Sequence, residues 1–245
     1  MKNIIKNKYK INTAVDFSYS KKEFPQNVNT AVLFYSKNLM NYLRKLKFTE
    51  KRNIFFKENL NVIFCYIQAP GAPYTIIKCD ELRKKNIKNF IILGMSAAIG
   101  EKYDFGDIFI VEKSLIGEGT SQNYIDENID IVNSSIFLNK KLNDLMKKNL
   151  INFYKGFAWT TDCPLRETFE EINIIQKYGV NCIDMECSAL FSFGEHFKDI
   201  ECSAVFVTSD IFCNNIWNPG FSKKIVIEKI QYLADCIIKL DLMKF

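Results

Sequence analysis

Two carboxylates stand where binding chemistry is easily built. In residues 180–193, VNCIDMECSALFSF, Val180, Cys182 and Ile183 read as the end of an apolar strand, and Ser188, Ala189, Leu190, Phe191 and Phe193 as an apolar helix. Asp184, Met185 and Glu186 fill the junction. A carboxylate at such a junction accepts hydrogen bonds from a polyol, and dry surroundings strengthen those bonds. The arrangement suits a sugar. Glu186 would equally favour the first turn of the helix through its macrodipole, a purely structural role. The second carboxylate ends residues 204–210, AVFVTSD, an apolar strand that closes on Ser209 and Asp210. In open α/β sheets ligands bind at the C-terminal ends of strands. The alternative is a solvated Asp210 that caps the next loop.

A third stretch, residues 157–168, FAWTTDCPLRET, is a polar loop after a short strand and before a helix. The guanidinium of Arg166 fits a base carbonyl or a phosphate, and would pair just as well with Asp162 or Glu167 as a brace. The turn at residues 69–73, APGAP, precedes another helix. Free backbone N–H groups make such a turn an anion cradle around Gly71, although a Gly/Pro turn also forms without a ligand.

The elements that must position these residues follow from hydrophobic periodicity. Strands are expected at 30–35, 89–94 and 108–111, and a hairpin at 53–56 and 61–67. The nearly all-apolar run 89–94 reads as a central strand covered on both faces. Helices are expected at 39–46, 76–82, 137–150, 167–178 and 222–240, the fourth of them stopped by Gly179. Residues 117–121, GEGTS, read as a flexible polar loop and 123–135 as an extended excursion. The pattern predicts an α/β protein, a three-layer α/β/α sandwich around a mixed sheet. Residues 30–245 read as a single domain, and residues 1–29 as an N-terminal arm that packs on a neighbour or frays.

Composition narrows the function classes. Of 245 residues, 48% are hydrophobic and 25% charged, which is ordinary for a globular domain and gives no argument for disorder. The net charge of +5 is scattered in short pairs such as Lys21 with Lys22 and Lys147 with Lys148. No basic stripe interleaved with aromatics is present, so nucleic acid is not the expected partner. Eight cysteines without a C-x-x-C pair, beside one histidine, argue against a metal site and for reduced, buried thiols in a cytoplasmic protein. The N-terminus lacks the apolar core of a signal peptide, and no apolar run reaches membrane-spanning length. His196, beside Phe197 and Lys198, reads as an exposed helix end without a catalytic role.

The Met185-Glu186 pair opening an apolar helix, followed by a strand ending in Ser209-Asp210, resembles the nucleoside phosphorylase superfamily, which includes purine nucleoside phosphorylase, uridine phosphorylase and related nucleosidases. The resemblance covers roughly residues 30 to 240; the segments GAPYTIIKCDEL, GDIFIVEKSLIGEGTS and WTTDCPLRET are similar to a bacterial branch of it. It implies that phosphate or water displaces a base from the sugar C1′ through a transition state with positive charge on the ribose. By this resemblance Glu186 binds the ribose hydroxyls and Met185 packs on the sugar face. Asp210 gives a proton or hydrogen bond to the departing base, and Thr161, Asp162 and Arg166 lie in the base pocket. No cofactor is implied; phosphate is the co-substrate.

This chain departs from the family at the phosphate. Where relatives carry a Gly-Asp-Pro-x-Arg turn it has Ser36, Lys37, Asn38, Leu39 and Met40, and Ile92 stands where they carry a strand arginine. Lys37, Gly71, Ser96 and Arg166 are the available replacements for phosphate binding. Phosphorolysis of a purine or related nucleoside is the expectation. Hydrolysis on the same fold and nucleoside binding without turnover are the alternatives, although no acidic residue stands where nucleosidases place their water-activating Glu. The resemblance also implies a homodimer or homohexamer.

Overall fold

The computed structural model describes Pro25 and residues 27–126 and 128–240. Most of the expected N-terminal arm, residues 1–29, lies outside the described residues. Its last residue is tied down: Asn29 donates to the Asn61 carbonyl and accepts from the amides of Lys88 and Asn89.

In chain order the first elements are β1 (Thr30–Phe34), α1 (Lys37–Lys45), β2 (Thr49–Lys51), β3 (Ile54–Phe56), β4 (Val62–Tyr66) and α2 (Ala72–Arg83). Next come β5 (Asn89–Ile99), β6 (Ile108–Gly117), β7 (Ile131–Asn133), α3 (Ile136–Lys148) and β8 (Tyr154–Thr161). The last are α4 (Phe169–Lys177), β9 (Cys182–Asp184), α5 (Cys187–His196), β10 (Glu201–Cys213), β11 (Ile216–Pro219) and α6 (Lys224–Ile238).

Caps explain where the helices depart from their expected bounds. The Ser36 hydroxyl accepts from the Leu39 amide, so α1 starts before its apolar face does. In α4, Thr168 and Glu171 form a capping box that sets the start at Phe169 rather than 167. Gly179, at φ +94°, ends that helix as expected. The expected excursion at 123–135 contains β7, which pairs with β6.

The mixed sheet lies between two helical layers. Phe90 and Ile92 of β5 face α2 and α5, where Ile76, Cys79, Leu190 and Phe193 are buried. Ile91 and Leu93 face the other way, toward Leu43 of α1, Leu142 of α3 and Leu233 of α6. Both faces of β5 are therefore dry, as its apolar run requires. A third cluster joins Ile172 and Ile175 of α4 to Trp159 and Ile183.

The sheet is not open throughout. From β5 it extends outward through β1, β4, β3 and β2. Beyond β1, the same edge of β5 pairs with β9, while its other edge pairs along its length with β10, and β10 returns through β6 and β8 to β9, closing a ring of strands. This closure requires β5 to run on past residue 94 to Ile99, so that Ala97 and Ala98 meet Ile183 and Cys182.

All eight cysteines are free thiols; six are buried, Cys213 is half-buried and Cys163 is exposed. No described helix is long and apolar enough to cross a membrane.

Candidate active site

Register places the two carboxylates. Ala97 of β5 pairs with Ile183 of β9 on one side and with Asp210 of β10 on the other. With neighbouring strands about 4.8 Å apart, Ile183 and Asp210 lie about 10 Å from each other across β5. Three residues after Ile183 comes Glu186. β10 does not end at Asp210, as its sequence predicts, but continues to Cys213 and pairs with β11. Instead, a bulge between Thr208 and Asp210 re-aims the carboxyl.

At the β9–α5 junction the two acids divide the work. Asp184 caps the helix, accepting from the amides of Glu186 (2.8 Å) and Cys187 (2.6 Å) and from the Thr160 hydroxyl (2.7 Å). Glu186 makes no cap; its Oε1 accepts from the Gly71 amide at 2.6 Å, across to the start of α2. Its role is therefore not the helix-end one that its position alone allowed. Glu186 is only 5% exposed, and burial, followed by the charge of Asp184, pushes its carboxyl up to about 8. Asp184 is also raised by burial, but three donors favour its charged form, so Glu186 is the member that takes the proton. At neutral pH Glu186 is thus a donor as well as an acceptor. Met185 is half-buried beside it.

Three participants carried no signal in the sequence. The Tyr35 hydroxyl lies 2.9 Å from Thr75 Oγ1, which in turn donates to the Gly71 carbonyl. Burial and the nearby Glu186 charge raise the Tyr35 phenol. Glu118 is 5% exposed and accepts from the amides of Thr120 and Ser121 and from the Ser188 hydroxyl (3.0 Å). The GEGTS segment, expected to be flexible, is clamped around it. Trp217 is the third, donating from Nε1 to Asp210 Oδ2 at 2.8 Å.

Asp210 is 7% exposed, so it is not the solvated loop cap. The Ser209 hydroxyl donates to its Oδ1 at 2.7 Å, and burial holds its carboxyl above the usual carboxylate range. Glu167 faces it; burial, then the Asp210 charge, pushes Glu167 up to about 7.

The other expected site residues are dispersed. Thr161 is buried and accepts from the Cys163 amide, while Asp162 is exposed and accepts from the Gly119 amide at 3.0 Å. Both hold loops together. Arg166 sits in a turn of 3-10 helix, Pro164–Arg166, and is exposed, with no ion pair to Asp162 or Glu167. Lys37 is exposed at the start of α1, and the Gly71 amide is taken by Glu186. Neither is arranged as an anion donor. Ser96 is 3% exposed and its hydroxyl has no partner among the described residues. Thr208, its register partner in β10, is likewise buried with an unpartnered hydroxyl. His196 is half-buried rather than exposed, with Nδ1 3.1 Å from the Tyr124 carbonyl and its ring against Tyr124 and Phe197.

Residues 63–239 match the family model of the Phosphorylase superfamily. This chain belongs to that superfamily. Among curated relatives, it is 25% identical over 133 residues to purine nucleoside phosphorylase DeoD-type 1 of Shewanella oneidensis, covering 51% of this chain and 54% of the relative. With the DeoD-type enzyme of Clostridium novyi it shares 26% over 128 residues, 52% and 55% of the two chains. The chain thus spans about half the length of the curated relatives it matches. Uridine phosphorylase from Vibrio fischeri superposes with a TM-score of 0.71 at 18% identity, covering 87% of this chain and 90% of that one. The 5′-methylthioadenosine/S-adenosyl homocysteine nucleosidase of Campylobacter jejuni gives 0.69 at 15%, covering 87% and 98%. At such identities the likeness is one of fold, a central mixed sheet between helices.

Proposed function

We propose that the protein cleaves the N-glycosidic bond of a purine or related nucleoside, with phosphate as co-substrate, releasing base and pentose 1-phosphate. The observation that carries this reading is the pair of buried carboxyls, Glu186 and Asp210, which β9 and β10 bring to either side of β5. Glu186 binds the ribose diol, accepting from one hydroxyl and donating to the other. As the C1′–N bond breaks, its electrons pass to the base nitrogen, which takes the proton of Asp210. Positive charge developing on the ribose is stabilised by the buried carboxylate of Asp184 close by. Phosphate then bonds to C1′. The names of the DeoD-type relatives support the purine.

One observation favours a second reading, hydrolysis. The Gly71 amide is occupied and Lys37 stands in solvent, so phosphate would meet the hydroxyls of Ser96 and Thr208 without a cation. Burying an uncompensated oxyanion costs several kcal/mol, on the order of a whole domain's net stability. Water meets no such penalty. Product analysis on a nucleoside panel, with and without phosphate, separates the readings. Phosphate-dependent pentose 1-phosphate supports phosphorolysis, and free pentose without phosphate supports hydrolysis. Binding without any product would overturn both in favour of a non-catalytic nucleoside-binding protein.

A further inference from the structure

Asp210 has few donors for so buried a carboxyl. Among the described residues, only Ser209 and Trp217 donate to its side chain. The Ser209 hydroxyl is shared, because it also reaches the Ser96 carbonyl at 3.3 Å. Trp217 Nε1 serves Asp210 alone. An indole N–H is a donor only, so it bonds Oδ2 whether the carboxyl is charged or protonated. Ser209 can turn its hydrogen to the Ser96 carbonyl, which leaves Oδ1 without a donor and able to carry the proton. The proton of Asp210 is thereby directed to Oδ1.

We propose that Trp217 is the positioning residue of the candidate acid: presented by β11 across the hairpin, its indole fixes Asp210 Oδ2 and leaves Oδ1 to carry the proton toward the base. The inference rests on the function proposed above. The hairpin geometry supports it, because Phe212 pairs with Trp217 and Asp210 with Pro219, which aligns the indole with the bulge in β10. Trp217 is 47% exposed and braced by the Phe221 ring at 6.2 Å, so its place is not explained by core packing. Of the groups facing Asp210, Glu167 ahead of α4 is the titratable one; β5 presents Ala97 and β11 presents Pro219. The amine of Lys223 lies over the Phe105 ring, 4.5 Å from its centroid.

The test begins with the wild-type protein. Its two tryptophans give two indole N–H resonances, assigned with Trp217→Phe. The Trp217 resonance is expected to shift with pH as the Asp210 carboxyl ionises, above the pH at which an ordinary aspartate does so because the group is buried. That titration should vanish in Asp210→Asn. A resonance that does not titrate, or that titrates unchanged in Asp210→Asn because it follows Glu167, overturns the proposal. On a nucleoside that the protein cleaves, Trp217→Phe should lower kcat about tenfold with KM little changed, the loss expected for one hydrogen bond to a charged group. In the Asp210→Asn background it should cost nothing further. An unchanged kcat overturns the positioning role even if the titration is present. If no nucleoside is turned over, the functional reading fails by itself and the titration alone decides the contact.

Discussion

Glu186→Gln should make the protein more stable, by an amount that grows as pH rises from about 4.5 to about 8. Gln keeps the shape and an oxygen for the Gly71 amide, and removes the buried charge beside Asp184. In an unfolded chain the carboxyl ionises near 4.5, whereas in the fold it is pushed up to about 8. Below the lower value both states are protonated and the variant gains nothing. As pH rises between the two values the unfolded chain sheds its proton while the folded chain keeps it, so wild-type stability falls. At about 1.4 kcal/mol per tenfold the full displacement is worth roughly 5 kcal/mol. Burial is the larger cause and the Asp184 charge the lesser, and the buried Gln amide keeps part of the desolvation cost, so about half of this, roughly 2 to 3 kcal/mol, is the relief expected from one substitution. For a chain of this size that raises Tm by about 5 to 10 °C. Thermal unfolding of both proteins at about pH 5 and about pH 8.5 measures it. A gap of equal size at both pH values, or a variant less stable at the higher one, would refute the reasoning.

Asp210→Asn should reduce nucleoside cleavage by about 100-fold to 10,000-fold, yet spare a riboside whose leaving group departs without a proton, as steady-state rates on the two substrates would show. Ser96→Ala removes a buried hydroxyl that lacks a partner, and should leave Tm unchanged or raise it by an amount worth about 1 kcal/mol; a lowered Tm would mean that the hydroxyl is satisfied. Gly71→Ala places a side chain at φ +123° with no atom within 4 Å of the new Cβ. Its cost is therefore conformational, about 1 to 3 kcal/mol in denaturant unfolding, and nucleoside binding should weaken with it because the Glu186 anchor shifts.

The core was legible because burial on both faces writes itself as unbroken apolar runs, as in β5 and β10. Glu186 and Asp210 were legible for a related reason: a charged residue at the margin of such a run is conspicuous. Glu118 was not, since GEGTS has the composition of a mobile loop, and only the fold brings Ser188 to its carboxylate. Trp217 lies seven residues beyond Asp210, and nothing local reveals that a hairpin turns its indole back. Asp184 and Glu186 are adjacent in the same motif, and their different tasks depend on Thr160 and Gly71 from distant parts of the chain. Arg166 shows the opposite failure. Its side-chain chemistry suits a ligand, but the turn that carries it faces solvent.

The ring of strands sets an order of events in folding. β5 and β6 are adjacent in the chain, yet they do not pair with each other; β10 lies between them, and its residues pair with β5 from Glu201↔Asn89 onward. Those pairings span more than a hundred residues, the kind of separation that slows folding most. During synthesis β5 waits for a partner on that side until β10 has emerged. Its unpaired, apolar edge is meanwhile open to other chains, which makes the interval before β10 arrives the period of greatest aggregation risk.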